Sequence, residues 1–231
     1  MKQSILLIIA CIGFFSCKQS SKSTSDTVII ETLGLTKNLE SQKLSIDTEH
    51  EYTDSIGKSV IIQNSLPKGA LYTASNGNEY VRATFWTQII NETDSTLEFA
   101  IDFSKDAYEF PSSVGSSIIS YYKLMLPPNK MTPDKEDFSN YGLTDIESFL
   151  DNNIDKPSSL KMRIKPKAFS GFYVVRLWVK LKSDELKVKD DGNGTTRAGL
   201  SIKGQNLFYN LNGKEIHCGT INLNNLRLVS E

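Results

Sequence analysis

Alternation of apolar and polar positions dominates the chain beyond residue 58. Leu97, Phe99, Ile101 and Phe103 alternate with Glu98, Ala100 and Asp102. A strict period of two predicts a half-buried strand. Upstream, Glu79 to Ile90 (EYVRATFWTQII) reads as a long strand, and Asn91-Glu92-Thr93-Asp94 supplies turn residues. The two runs are expected to form a hairpin across 91–95. Leu160, Met162 and Ile164 alternate with Lys161, Arg163 and Lys165. Tyr173, Val175, Leu177, Val179 and Leu181 line one face of the strand that follows. Further strands are expected at Val60 to Ile62, Ile118 to Leu126, 197–203, 206–211, 219–223 and 225–229.

One helix is predicted. Thr144-Asp145-Ile146-Glu147 has the form of a capping box, and Ile146, Phe149 and Leu150 give an apolar stripe at i, i+3, i+4, ended by Asn152-Asn153. Thr132-Pro133 reads as the start of a shorter helical turn, since proline suits a first helical position. The fold class expected is mostly β: a β-sandwich, immunoglobulin-like and Greek-key, with one short helix in a long connection. The 104–117 and 127–159 connections suit Greek-key crossings, and a β-barrel is the alternative.

Before residue 58 the pattern changes. Ile5 to Phe15 is apolar apart from Cys11 and Gly13, and one positive charge, Lys2, precedes it. Such a run is too short for a spanning helix and suits a signal peptide. It ends at Phe14-Phe15-Ser16-Cys17, which resembles the lipobox of bacterial lipoproteins in the loose form of the Bacteroidetes. That resemblance implies cleavage before Cys17 and a lipid on it. More than one acyl chain gives stable anchoring at about 0.8 kcal/mol per CH₂. A secreted protein cut elsewhere, or a weak transmembrane anchor, are the alternatives. KQSSKSTSDT at 18–27 has no apolar residue and reads as a tether. Val28 to Leu35 could form a short strand, and 36–58 is polar. The organisation expected is therefore a signal peptide at 1–16, a lipidated cysteine and flexible tether at 17–57, and one β-sandwich domain at 58–231. Lys18-Gln19 stand where surface-exposed relatives of that lipoprotein class carry acids, which implies an outer-membrane protein facing the periplasm.

The segments VIIQNSLPKG at 60–69, TFWTQIINET at 84–93, YKLMLPPNKMTPDKEDFSNYGLTDIESFLD at 122–151 and KGQNLFYNLNGKEIHCG at 203–219 resemble an uncharacterised family of Bacteroidetes envelope lipoproteins. The resemblance implies location and an immunoglobulin-like domain, and carries no catalytic residue.

Composition adds bounds. The 231 residues are 39% hydrophobic and 23% charged, with a formal net charge of −1. That suits a globular chain and gives no global attraction to nucleic acid. With Cys11 removed and Cys17 acylated, Cys218 has no partner for a disulfide and is expected to be buried. His217 and Cys218 are adjacent, so on a strand they face opposite ways and form no dyad. Lys189 and Leu200 stand where a calcium loop built on Asp190-Asp191-Gly192-Asn193-Gly194 needs carboxylates, so a glycine-rich hairpin turn is expected. No catalytic or metal-ligating set and no cofactor are assigned. Asp26-Thr27-Val28 and Asp54-Ser55-Ile56 resemble short O-glycosylation acceptors.

One charge pattern remains. From Lys156 to Ser183 there is no acid, while 134–155 is strongly acidic. If the two strands there pair, Lys161, Arg163 and Lys165 become neighbours of Arg176, Trp178 and Lys180 on one outward face. Two readings follow: a solvated face neutralised by the acidic segment, or an anion site with Trp178 as a stacking platform. The partners expected are the membrane, through lipid on Cys17, and another envelope protein or an acidic glycan. A carbohydrate-binding role would use exposed aromatics, with Trp178, Trp86, Tyr121 and Tyr122 as candidates. The function expected is a membrane-tethered, non-catalytic binding or assembly module of the cell envelope, with the carbohydrate-binding role as its alternative and a hydrolase with two facing carboxylates as the second alternative.

Overall fold

The computed structural model describes residues 27–31, 45–112, 115, 117, 119–129, 131, 138, 140–179, 197–223 and 227–229. The chain is mostly β. Its strands are β1 (Thr27–Glu31), β2 (Ile46–Thr53), β3 (Ser59–Ser65), β4 (Lys68–Thr73), β5 (Glu79–Asn91), β6 (Leu97–Phe103), β7 (Tyr108–Pro111) and β8 (Ile119–Met125). After helix α1 (Ile146–Asn153) come β9 (Ser158–Ile164), β10 (Ala168–Val179), β11 (Ala198–Lys203), β12 (Asn206–Leu211), β13 (Lys214–Ile221) and β14 (Arg227–Leu228). They form two packed sheets, a β-sandwich. The six-stranded sheet has the order β1-β9-β6-β13-β12-β11. The eight-stranded sheet has the order β14-β2-β3-β5-β10-β8-β7, with β4 beside β5. Pairing is antiparallel except for β1 on β9. Among the described residues both sheets have free edges, and no barrel closes.

Alternation locates most strands, and the core follows from it. Leu97, Phe99, Ile101, Leu160, Met162 and Ile164 of one sheet pack against Val60, Ile62, Phe85, Ile89, Phe172 and Val174 of the other. A second layer lies outside. Trp86, Met125, Tyr173, Val175 and Leu177, on the far face of the eight-stranded sheet, are buried with Tyr141, Leu143, Ile146 and Leu150. Helix α1 and the segment before it therefore roof that face, and β10 is buried on both sides.

Four expectations are corrected. The 91–95 turn does not make a hairpin: β5 pairs with β10, β3 and β4, while β6 pairs with β13 and β9. The turn instead carries the chain from one sheet to the other. Asn91 fixes it, receiving bonds from the Thr93 N–H at 3.1 Å and hydroxyl at 2.7 Å. The Asn91 Nδ2 faces the carbonyls of Ser95, Ile164 and Lys165. Second, the folded part starts earlier than 58. β2 pairs along β3 and buries Tyr52, so 45–57 is not tether. The Asp54-Ser55-Ile56 triplet is the β2–β3 turn, where Asp54 Oδ1 accepts from the Ile56 and Lys58 N–H groups. Third, the capping box does not form. Asp145 is the N-cap at φ 53 with no side-chain cap bond, although Ile146 and Leu150 are buried as expected. Fourth, β4 and β7 were not foreseen. Fourteen strands among the described residues also exceed the seven to nine of an immunoglobulin sandwich. The segments at 190–194 and 132–133 lie outside the described residues.

Candidate functional site

The two halves of the expected basic face are in different sheets. β9 pairs with β6 and β1, whereas β10 pairs with β5 and β8. Lys161, Arg163 and Lys165 are exposed on the outside of the six-stranded sheet. There Arg163 is held by Glu98, with Nη2–Oε1 at 2.6 Å and Nε–Oε1 at 2.7 Å. This is an exposed ion pair that contributes about 0–1 kcal/mol. The charge opposite Arg163 thus comes from β6. Nearby, Lys167 pairs with Asp94 at 3.0 Å. Lys180 and Cys17 lie outside the described residues.

Arg176 and Trp178 point the other way, towards the space between the sheets. Register places them in two rows across the inner face of the eight-stranded sheet. One row is Gly69, Ala83, Arg176 and Leu124; the next is Leu71, Val81, Trp178, Tyr122 and Tyr108. The six-stranded sheet covers this face as far as β11, whose Leu200 and Ile202 meet Asn64 and Tyr52. Beyond it the exposure climbs. Ala83 is buried, Val81, Arg176 and Trp178 are half-buried, and Leu71 is 83% exposed. The partly exposed end of the sheet, the ledge, thus carries one indole and one cation, with Trp178 packed on the core between the sheets and Tyr122 and Leu124 of the same rows buried.

The cation is incompletely satisfied. The guanidinium of Arg176 lies over the Tyr122 ring at 4.9 Å, and its Nη1 is buried without a hydrogen-bond partner among the described residues. The Tyr209 hydroxyl, likewise without a partner at ordinary hydrogen-bond geometry, is the polar group near Arg176, close enough for a weak hydrogen bond and for its charge to be felt. Burial holds that phenol well above the usual range, and the charge of Arg176 opposes the effect. A buried cation without an acceptor is costly. The ledge can therefore offer a charge-assisted donor beside a stacking surface.

The aromatic set expected for sugar binding does not assemble. Trp86 is 2% exposed beneath α1 and Tyr122 is 7% exposed, while Tyr121, at 37%, is on the opposite face from Trp178. His217 is exposed and bonds Asn206 at 3.2 Å, whereas Cys218 is buried and free, as expected. Burial pushes the Cys218 thiol up to about 12, and the thiol donates to the Leu207 carbonyl at 3.5 Å.

Two buried cations were missed by sequence reasoning. Lys123 is 3% exposed and donates to the carbonyls of Ser104 and Lys156, each at 2.7 Å. Arg82 is 8% exposed beneath α1. The available signal was a single basic residue inside an otherwise apolar strand, in EYVRATFW and ISYYKLML. Among the described residues no group of three or more His, Cys, Asp or Glu could hold a metal ion. No helix among them is long and apolar enough to cross a membrane. No family model, no curated protein and no solved structure matches the chain.

Proposed function

We propose that the chain is a lipid-anchored, non-catalytic binding module of a bacterial cell envelope. Its ledge receives an acidic component of that envelope, a glycan or a segment of another protein. The observation that carries the reading is the partly buried, unpartnered Nη1 of Arg176 next to half-buried Trp178. Arginine beside an indole suits a carboxylate-bearing ligand with an apolar or ring face. The lipobox-like Phe14-Phe15-Ser16-Cys17 supports the anchor.

The test is a titration of the mature chain carrying Cys17→Ser with acidic and neutral oligosaccharides, at low and high salt. Acidic sugars are expected to bind, and to bind more weakly in salt. A ligand at 100 times its Kd adds about 2.7 kcal/mol of stability, visible as a thermal shift. Trp178→Ala and Arg176→Gln should each weaken binding about tenfold or more. Undiminished binding by both variants would remove the ledge as the site. In cells, Cys17→Ser should release the protein from the membrane fraction and abolish labelling with palmitate. Retention of both would remove the anchor.

A carbohydrate-binding reading without charge dependence is the second. The half-buried Trp178, in one row with Val81 and the exposed Leu71, favours it, and salt-resistant binding of neutral sugars would select it.

A further inference from the structure

On the face of the eight-stranded sheet away from the ledge, β5 carries Arg82 and Thr84, two residues apart and therefore side by side beneath α1. Arg82 is 8% exposed and Thr84 is fully buried. The Nε and Nη1 of Arg82 and the Oγ1 of Thr84 are buried without a hydrogen-bond partner among the described residues. Their surroundings are mostly apolar. Register sets Leu177 and Val175 beside them on β10, and Ala70 and Lys68 on β4. Tyr72 and Tyr80 stack at 6.0 Å one row along. The acid whose charge reaches Arg82 is Glu147, exposed in the first turn of α1 and forming no ion pair with it.

The contrast with Lys123 is informative. Lys123 lies in the same row, across Leu177 from Arg82. Its ammonium is met by two carbonyls at 2.7 Å. At the Nε and Nη1 of Arg82 no carbonyl or carboxylate among the described residues plays that part. An arginine does not escape by losing its proton, because its pKa is too high. Buried polar groups in native proteins almost always have a partner, and buried charges are paired. The donors belong to two residues and share one face.

We infer that Arg82 and Thr84 form a binding site for a small oxyanion, a phosphate or a carboxylate, held between β5 and α1. Arg82 supplies the charge and N–H donors, and the Thr84 hydroxyl supplies another. The site is separate from the ledge, lies on the other face of the sheet and does not depend on the function proposed for the ledge.

The experiment uses the mature chain with Cys17→Ser, melted in sodium chloride, sodium phosphate or sodium acetate at equal ionic strength and pH. A saturable rise in melting temperature with phosphate or acetate, absent in chloride, is expected. Arg82→Gln should weaken that response at least tenfold, and Thr84→Val several-fold. Phosphorus NMR of inorganic phosphate with the wild-type chain should show line broadening that acetate reverses if both anions share the site. A response to phosphate alone would identify a phosphate site, and to acetate alone a carboxylate site; either supports the inference. Should Arg82→Gln fail to fold, Thr84→Val and the NMR titration decide. Equal melting in all three salts would overturn the inference and leave the donors to water. An undiminished anion response in Arg82→Gln or Thr84→Val would overturn it as well.

Discussion

Gly219 shows how little room a single position has. It pairs with Ile101, and a Cβ built there would collide with the backbone carbonyl of Ala100. Backbone cannot swing aside as a side chain can. Gly219→Ala should therefore cost about 1–3 kcal/mol, as overpacking does. Thermal unfolding would register it as roughly 2–4 °C per kcal/mol. An unchanged melting temperature would mean that β6 and β13 part more easily than their pairing implies. Lys123 makes a pH-dependent prediction. Burial lowers its pKa from 10.5 to about 8, with Asp106 and Asp155 opposing the shift. Between these values the unfolded chain binds the proton more readily than the folded one. Folding is thus penalised fully below pH 8, and the penalty fades as pH rises towards 10.5. Lys123→Met removes the term, so the stability difference between variant and wild type should change across that window, in favour of wild type as pH rises. Denaturant unfolding at pH 7 and pH 10 measures it. A difference that stays constant would show that the ammonium is not desolvated. The raised tyrosines act on both proteins alike and cancel in the comparison. Neither buried cation is conspicuous in the sequence, because a basic residue in a strand reads first as a solvated one.

At the scale of elements, Asn64 joins the two sheets. Its Oδ1 accepts from the Leu200 N–H at 3.0 Å and the Thr87 hydroxyl at 2.8 Å. Its Nδ2 donates to the Leu200 carbonyl at 3.3 Å and the Thr48 hydroxyl at 3.1 Å. Two positions along β11, the Ile202 N–H donates to the Tyr52 hydroxyl at 2.8 Å. These are groups on the edge of β11 that no described strand pairs with, so the side chains occupy bonds that would otherwise invite another strand. Asn64→Ala should cost roughly 2–4 kcal/mol, because it leaves both backbone groups of Leu200 buried and unmet. Hydrogen exchange gives a sharper check. The Leu200 amide should quicken in Asn64→Ala and the Ile202 amide in Tyr52→Phe. Quickening of both amides in either variant would mean that the edge opens as one unit. Strand positions were legible because packing on one face enforces a period of two, as in β6 and β9. Strand partners were not. Alternation is the same whether consecutive strands share a sheet or cross between sheets, so β5–β6 and β9–β10 read as hairpins when both are crossovers. The turn residues Asn91 and Thr93 signal a tight reversal without saying where it leads. The face of Arg176 and Trp178 was misplaced for a related reason. The sequence alternates there as if one side of β10 met solvent, but α1 roofs the side of Tyr173 and Val175, and the other side faces the second sheet.

At the scale of the whole molecule, Thr27 and the ledge lie at the same end. β9 runs from Ser158 to Ile164, the chain reverses at 165–167, and β10 returns towards Trp178. β1 runs parallel to β9 with Thr27 opposite Ser159, so the chain enters the fold from the end where β10 finishes. Ile56 lies at the far end, in the β2–β3 turn beside the 91–95 crossover, since Val60 pairs with Asn91. With lipid on Cys17, Thr27 can stand at most about 35 Å from the lipidated residue. The ledge would then face the membrane rather than the space beyond it, which would favour a membrane-proximal ligand over a freely diffusing one. Single-cysteine labelling can decide this, because Cys17 would be acylated and Cys218 is buried with its thiol pushed up to about 12. Leu71 and Ile56 are 83% and 71% exposed, so Leu71→Cys and Ile56→Cys should both accept a fluorophore. In vesicles containing a quencher attached to the lipid headgroup, the label at residue 71 should be quenched more strongly than that at 56. Equal quenching would mean that the domain tumbles freely relative to the membrane, and stronger quenching at residue 56 would place the ledge away from the membrane and turn the search towards soluble ligands.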